Sequence, residues 1–192
     1  MTVTTNPTAT ISRRGLLAGL GAAFALAPAA HALAAPAVLT GAGDIRMIRL
    51  VNPRTGDKVS SVYWIEGAYV PEVMSEISHL MRDWRVDRVK AIDPGLIDII
   101  SAAHKRLDTS EPFTVYSGYR TPQTNAALRQ NSRGVASNSY HIKGMAADLH
   151  LEGRSVRQIS GAALSLKAGG VGKYSRSNFV HMDCGPVRDW GR

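Results

Sequence analysis

Residues 139–151 read Ser139-Tyr140-His141-Ile142-Lys143-Gly144-Met145-Ala146-Ala147-Asp148-Leu149-His150-Leu151, and residues 178–183 read Asn178-Phe179-Val180-His181-Met182-Asp183. Met145 to Leu151 and Asn178 to Asp183 read as strands, in which side chains alternate between faces. Asp148 then shares a face with His150, and His181 shares a face with Asp183. If the two strands pair antiparallel, Asp148 and His181 lie side by side on one face. His141 precedes the first strand, and Gly144 between them lets the chain turn sharply. Two imidazoles and a carboxylate can thus converge on the sheet. They form a normal zinc donor set that leaves a fourth position for water. Two satisfied polar residues near a sheet edge would fit the same spacing.

The rest of the chain reads outward from this pair. Ile45 to Leu50 and Val59 to Ile65 form two strands around the turn-rich Asn52-Pro53-Arg54-Thr55-Gly56-Asp57. Tyr69-Val70-Pro71-Glu72 opens a helix whose stripe is Val73, Ile77, Leu80, Met81 and Trp84. Asp93 caps a second helix at Pro94, with Leu96, Ile97, Ile100, Ala103 and Leu107 facing the core. His79 and His104 fall on these helices and read as surface or capping residues. Phe113 to Tyr116 is a strand that leads into Ser117-Gly118-Tyr119-Arg120, then Thr121-Pro122 and a helix to about Gln130. A polar loop spans residues 131–139, a helix residues 155–167, and Val171 to Tyr174 pairs with Asn178 to Asp183 as a closing hairpin. The expected class is α+β: helices packed on a small, mainly antiparallel sheet that carries the zinc site.

The 192 residues suit one domain, and the single Cys184 excludes a disulfide framework or a cysteine-rich zinc finger. By alternation Cys184 lies on the face opposite His181 and reads as buried, not as a ligand. The first 34 residues hold Arg13 and Arg14 and no acid, followed by an Ala/Gly/Leu run. Ala30-His31-Ala32 and Ala32-Leu33-Ala34 both fit a signal-peptidase site, so cleavage after Ala32 or Ala34 is open. This is a twin-arginine signal peptide over residues 1–34, then a flexible leader over 35–43 and one domain over 44–192. The expected location is the periplasm or cell envelope, with membrane attachment only if the signal is retained. Removing two arginines and no acids from 23 basic and 15 acidic residues leaves +6. A basic exported surface favours an anionic cell-wall polymer or membrane as partner over nucleic acid, for which no motif is present. A monomer is expected.

His141-x-x-Gly144-x-Ala146-x-Asp148, followed by Val180-His181-Met182-Asp183, resembles the zinc signature of the D-alanyl-D-alanine metallopeptidases. That superfamily includes lysostaphin-type enzymes and the zinc domain of hedgehog proteins. Ser117 to Pro122 and His181 to Arg188 are similar to the murein endopeptidase K-like group within it. The resemblance covers about residues 44–192. It implies one zinc per chain on His141, Asp148 and His181, and hydrolysis of peptidoglycan stem peptides or their cross-links, as an endopeptidase or carboxypeptidase. It also implies that Arg120 faces substrate, where its planar fork suits a carboxylate or carbonyl. Pairing with a neighbouring acid is the competing role for Arg120. Ser139 is a further substrate-side candidate or a residue that orders the loop before His141. Ser117 and Tyr119 read equally well as structural, and Tyr140 is a candidate donor to an oxyanion.

The family's usual base, two or three residues before the last ligand, is replaced here by Asn178 and Phe179, which cannot take a proton at neutral pH. Asp183 is the nearest carboxylate, either as general base or as the group that orients His181. His150 is the lower-ranked base. The missing base supports a second reading, a non-catalytic zinc module that binds cell wall or a protein partner. A third reading is a basic exported protein whose histidines are only structural.

Overall fold

The computed structural model describes residues 43–132 and 134–191, so the expected signal peptide and nearly all of the leader lie outside the described residues. In chain order the elements are β1 (Ile45–Val51), β2 (Lys58–Ile65), β3 (Ala68–Tyr69), α1 (Pro71–Leu80), α2 (Pro94–Arg106), β4 (Phe113–Ser117) and α3 (Pro122–Asn131). There follow α4 (Tyr140–Lys143), β5 (Ala146–Leu151), α5 (Val156–Leu164), β6 (Gly170–Tyr174), β7 (Phe179–Asp183) and β8 (Arg188–Gly191).

Helix starts follow local chemistry. Pro stands in the first turn of α1, α2 and α3, where its missing N–H leaves no bond unmade. Asp93 caps α2 by accepting from the Gly95 N–H at 2.8 Å. Ser155 and Gln158 form a reciprocal capping box on α5. Asp93→Ala is expected to cost about 1 kcal/mol, seen as a lower urea midpoint at unchanged slope. Helix α1 stops at Leu80, short of the expected Trp84. The Asn52 amide donates to the Leu80 carbonyl at 2.9 Å, and the chain then bends into a turn bridged by Asp83 and Arg88.

The eight strands form one sheet in the order β3-β2-β1-β4-β5-β7-β6-β8. This corrects the expectation of a small, mainly antiparallel sheet: β1 pairs with β4 in parallel, and β6 pairs with β8 in parallel. A parallel pair needs a crossover, which α1 and α2 supply between β1 and β4. The C-terminal residues then add β8 outside β6, an edge that strand periodicity did not reveal.

Alternation separates two faces of the central strands. Ala147, Leu149, Val180 and Met182 are buried in one core with Leu96, Ile97, Ile100, Ile159 and Ala163 of α2 and α5. Asp148 and His181 sit between these residues in sequence and so point to the opposite face. The β5–β7 register places Asp148 directly across from His181. The same row runs from Ser117 on β4 through Asp148 and His181 to Gly172 on β6 and Trp190 on β8. A parallel row joins Ala146, Asp183, Gly170 and Arg188. Glycine is required in both rows: a Cβ on Gly172 would lie 2.5 Å from the Trp190 ring, and one on Gly170 2.5 Å from Arg188 Nη1. Edge-strand side chains thereby fold back over the sheet toward His181 and Asp183. His104, away from this face, donates to the Glu111 carbonyl at 2.7 Å and packs on Phe113.

Candidate metal centre

His141 is carried on α4, a single helical turn rather than a loop. Ser139 caps its start, its Oγ accepting from the His141 N–H at 3.3 Å. Gly144 ends it at φ 74°, a left-handed conformation that glycine adopts without strain. The Arg120 N–H donates to the His141 carbonyl at 3.2 Å, tying α4 to the loop after β4. That loop is anchored in turn by buried Asp83, which accepts from the Thr121 N–H at 2.9 Å and the Thr121 hydroxyl at 3.0 Å. The Tyr119 N–H donates to the Met81 carbonyl at 2.7 Å.

The partners of each imidazole set which nitrogen faces inward. His141 Nδ1 lies 2.6 Å from the Gly118 carbonyl, which can only accept, so Nδ1 carries the hydrogen. His181 lies between two carboxylates, Nε2 2.9 Å from Asp183 Oδ2 and Nδ1 3.0 Å from Asp148 Oδ1, and a cation held against Asp148 would place its hydrogen on Nε2. The His141 Nε2 lone pair thus faces His181 Nδ1 at 3.2 Å. Asp148 Oδ1 completes the triangle, 3.0 Å from His181 Nδ1 and 3.3 Å from His141 Nε2. Three donor atoms this close, on three buried residues, can hold a cation between them. Metal–ligand bonds of about 2.0–2.2 Å at tetrahedral angles separate neighbouring donors by about 3.3–3.6 Å. The two nitrogens and one oxygen fit zinc in chemistry, and their separations of 3.0–3.3 Å need to open by only a few tenths of an ångström to reach that spacing.

The electrostatics agree. Burial holds His141 below its ordinary value and so neutral, as a metal ligand must be. Burial would raise Asp148, but the His141 and His181 imidazoles outweigh it and hold the carboxyl well below the usual range. At His181 burial opposes a second proton, yet Asp148 and Asp183 on either side raise its pKa. The same two carboxylates favour a metal cation at that place.

Asp183 is fully buried and lies across the His181 ring from the triangle. Arg188 grips both of its oxygens, Nη1 on Oδ1 at 3.0 Å and Nη2 on Oδ2 at 2.6 Å. Oδ1 also accepts from the Gly185 N–H at 2.9 Å and the Gly170 N–H at 3.3 Å. Arg120 donates from Nη2 to Asp148 Oδ2 at 2.6 Å and from Nε to Ser117 Oγ at 2.8 Å, so it pairs with the neighbouring acid while also lining the cleft. His150 stands off the triangle, 3.5 Å from Glu152 and stacked on Tyr116. Cys184 is outside it too: its Sγ is 3.7 Å from the Met145 carbonyl, and burial pushes the thiol up to about 12.

The triangle opens into a cleft of about 600 Å³, whose walls include Arg120, Ser139, Tyr140, Tyr174, Phe179 and Trp190. A family model described as peptidoglycan L,D-endopeptidase MepK matches residues 40–190. The chain belongs to the MepK family. The MepK protein of Escherichia coli K12, described as a peptidoglycan L,D-endopeptidase, is 43% identical over 183 residues, covering 93% of this chain and 97% of the relative. A probable peptidoglycan L,D-endopeptidase MepK of Haemophilus influenzae is 39% identical over 146 residues, covering 76% of this chain and 78% of the relative. The crystal structure of Serratia marcescens L-Ala D-Glu endopeptidase ChiX overlaps 49% of this chain and 68% of that one, at 19% identity and a TM-score of 0.34, too loose a likeness to bear on the site.

Within this MepK-family chain, sequence reasoning passed over Tyr174 and Trp190 altogether, and over the Gly118 carbonyl as the partner of His141. Gly170 and Gly172, alternating on one strand, were the available signal that something lies over the sheet there.

Proposed function

We propose that this chain is an exported zinc metallopeptidase that hydrolyses peptidoglycan stem peptides or their cross-links, with one zinc on His141, Asp148 and His181. The observation that carries this reading is the buried triangle of His141 Nε2, His181 Nδ1 and Asp148 Oδ1 at the floor of an open cleft. Membership of the MepK family supports the substrate class and favours an L,D-endopeptidase over a carboxypeptidase. Zinc, when bound, supplies Lewis-acid polarisation of a carbonyl and a water of pKa near 7.

The protein's own groups do the rest. The Gly118 carbonyl and Asp183 orient the two imidazoles by holding their outer N–H groups. We assign Asp183 to positioning and not to proton transfer, because its oxygens already accept from His181, Arg188, Gly185 and Gly170. Arg120 neutralises the outer oxygen of Asp148 and, from the cleft wall, meets a substrate carboxylate or carbonyl. Ser139 acts through His141, by capping the turn that presents it. Export through the signal at residues 1–34 would bring the basic domain to the acidic peptides of the cell wall.

The test is a muropeptide digest resolved by chromatography. Wild type is expected to release new L,D-cleavage products, to lose this activity with a chelator, and to regain it with zinc. A second reading, a zinc module that binds cell wall without cutting, draws on one observation: Asp148 is the only carboxylate among the described residues lining the cleft. Binding of muropeptides with no new products would favour it.

A further inference from the structure

Two tyrosines line the cleft, Tyr140 and Tyr174, and their surroundings differ. The Tyr140 ring has Arg188 on it at 5.1 Å and Lys143 at 5.1 Å, and its phenol end lies against Gly185. Tyr174 is held at two points instead. Its ring stacks on Phe179, its cross-strand partner, with centroids 4.5 Å apart and planes at 14°. Its oxygen accepts from Trp190 Nε1–H at 3.1 Å. An indole N–H can only donate, so the phenol oxygen must accept, and its own hydrogen points away from Trp190. Among the described residues its bond from Trp190 leaves that hydrogen for a group in the cleft. The same indole packs 5.2 Å from the His181 ring, so the phenol stands one ring away from a metal-triangle residue.

Of the charged donors on this wall, Arg188 is bound to Asp183 and the Pro186 carbonyl, and Arg120 is bound through Nε and Nη2 to Ser117 and Asp148, which leaves its Nη1 for the substrate. We infer that the Tyr174 hydroxyl is a catalytic hydrogen-bond donor to the carbonyl oxygen of the scissile amide, an inference that rests on the peptidase reading above. As water adds to the carbonyl carbon, the π pair moves onto that oxygen. The phenol donates to the growing negative charge and keeps its proton. When the C–N bond breaks, the pair returns to re-form C=O, and the departing amine takes a proton that came from the water. A donor held by both a stack and a hydrogen bond has little left to reorganise, which makes such a contact worth most in the transition state.

The experiment is steady-state cleavage of a purified cross-linked muropeptide by zinc-loaded wild type and Tyr174→Phe, with zinc content and thermal midpoint measured on the same samples. Tyr174→Phe keeps the stack on Phe179. It is expected to retain zinc and its thermal midpoint, keep KM within about twofold, and lose kcat by roughly 10²-fold, the effect of removing one oxyanion donor. The inference is overturned if kcat stays within about threefold, if the loss is confined to KM, or if zinc is lost together with activity. A wild type that yields no products would instead bring down the peptidase reading and this assignment with it. Wild-type turnover beside an unimpaired Tyr174→Phe would remove the assignment alone.

Discussion

His181→Ala is expected to fall from about one zinc per chain to almost none, and to lose muropeptide cleavage by at least about 10³-fold. The size follows from how much of the site this one ring organises. It supplies a lone pair to the triangle through Nδ1 and an N–H to Asp183 through Nε2. Removing it leaves His141 and Asp148, two donors where a closed site needs three or four. It also leaves the Asp183–Arg188 pair facing an empty space beside the Trp190 ring. Elemental analysis and chromatography of digests check both parts. A thermal midpoint that no longer rises with added zinc is a third readout, because only a folded state that binds the ion is stabilised by it. Cleavage at the wild-type rate would end the zinc-peptidase reading.

Asp183→Asn is expected to weaken zinc binding by about 10–100-fold, the usual cost of losing a group that orients a ligand. The amide can still accept from His181 Nε2–H, but it carries no charge and cannot satisfy the Arg188 guanidinium as a carboxylate does. Much of the lost turnover should return when zinc is raised to saturation. A general base would behave otherwise: zinc affinity would hold, and kcat would drop by about 10²–10⁴-fold without rescue. Chelator-competition titration beside saturating-zinc kinetics separates the two outcomes.

Much of the framework was legible locally. Proline after Val70, Asp93 and Thr121 marked three helix starts, because a first-turn residue has no helical N–H bond to lose. Period-two patterning found the strands carrying Asp148 and His181, and the observed register sets those two residues opposite each other. Alternation also put Asp183 on the same side as His181, and its carboxylate meets that ring. The length of α1 was overread, since a tertiary contact from Asn52 caps Leu80 and no local residue signals it. The parallel pairs were missed for a related reason. Period two is the same in parallel and antiparallel strands, and only the long connection through α1 and α2 decides the direction in which β4 returns to β1.

By itself, then, the sequence determined the residue types and their local spacing, with His141 before a turn at Gly144 and Asp148 and His181 on two strands, while the family resemblance is what joined them with Arg120 into one expected centre. The spacing is a short-range property, set by side-chain chemistry and strand period. Tertiary structure alone decided what each group touches. Gly118 and Asp183 take the outer hydrogens of the imidazoles and so choose the nitrogens that face inward. Arg188 and the Gly185 and Gly170 amides occupy Asp183, which is what supports the positioning role we propose for it. Arg120 is drawn onto Asp148, and Trp190 reaches over Gly172 to hold Tyr174 at the cleft. A hydrogen bond depends on partners brought within about 3 Å from distant parts of the chain, and that proximity is a product of folding.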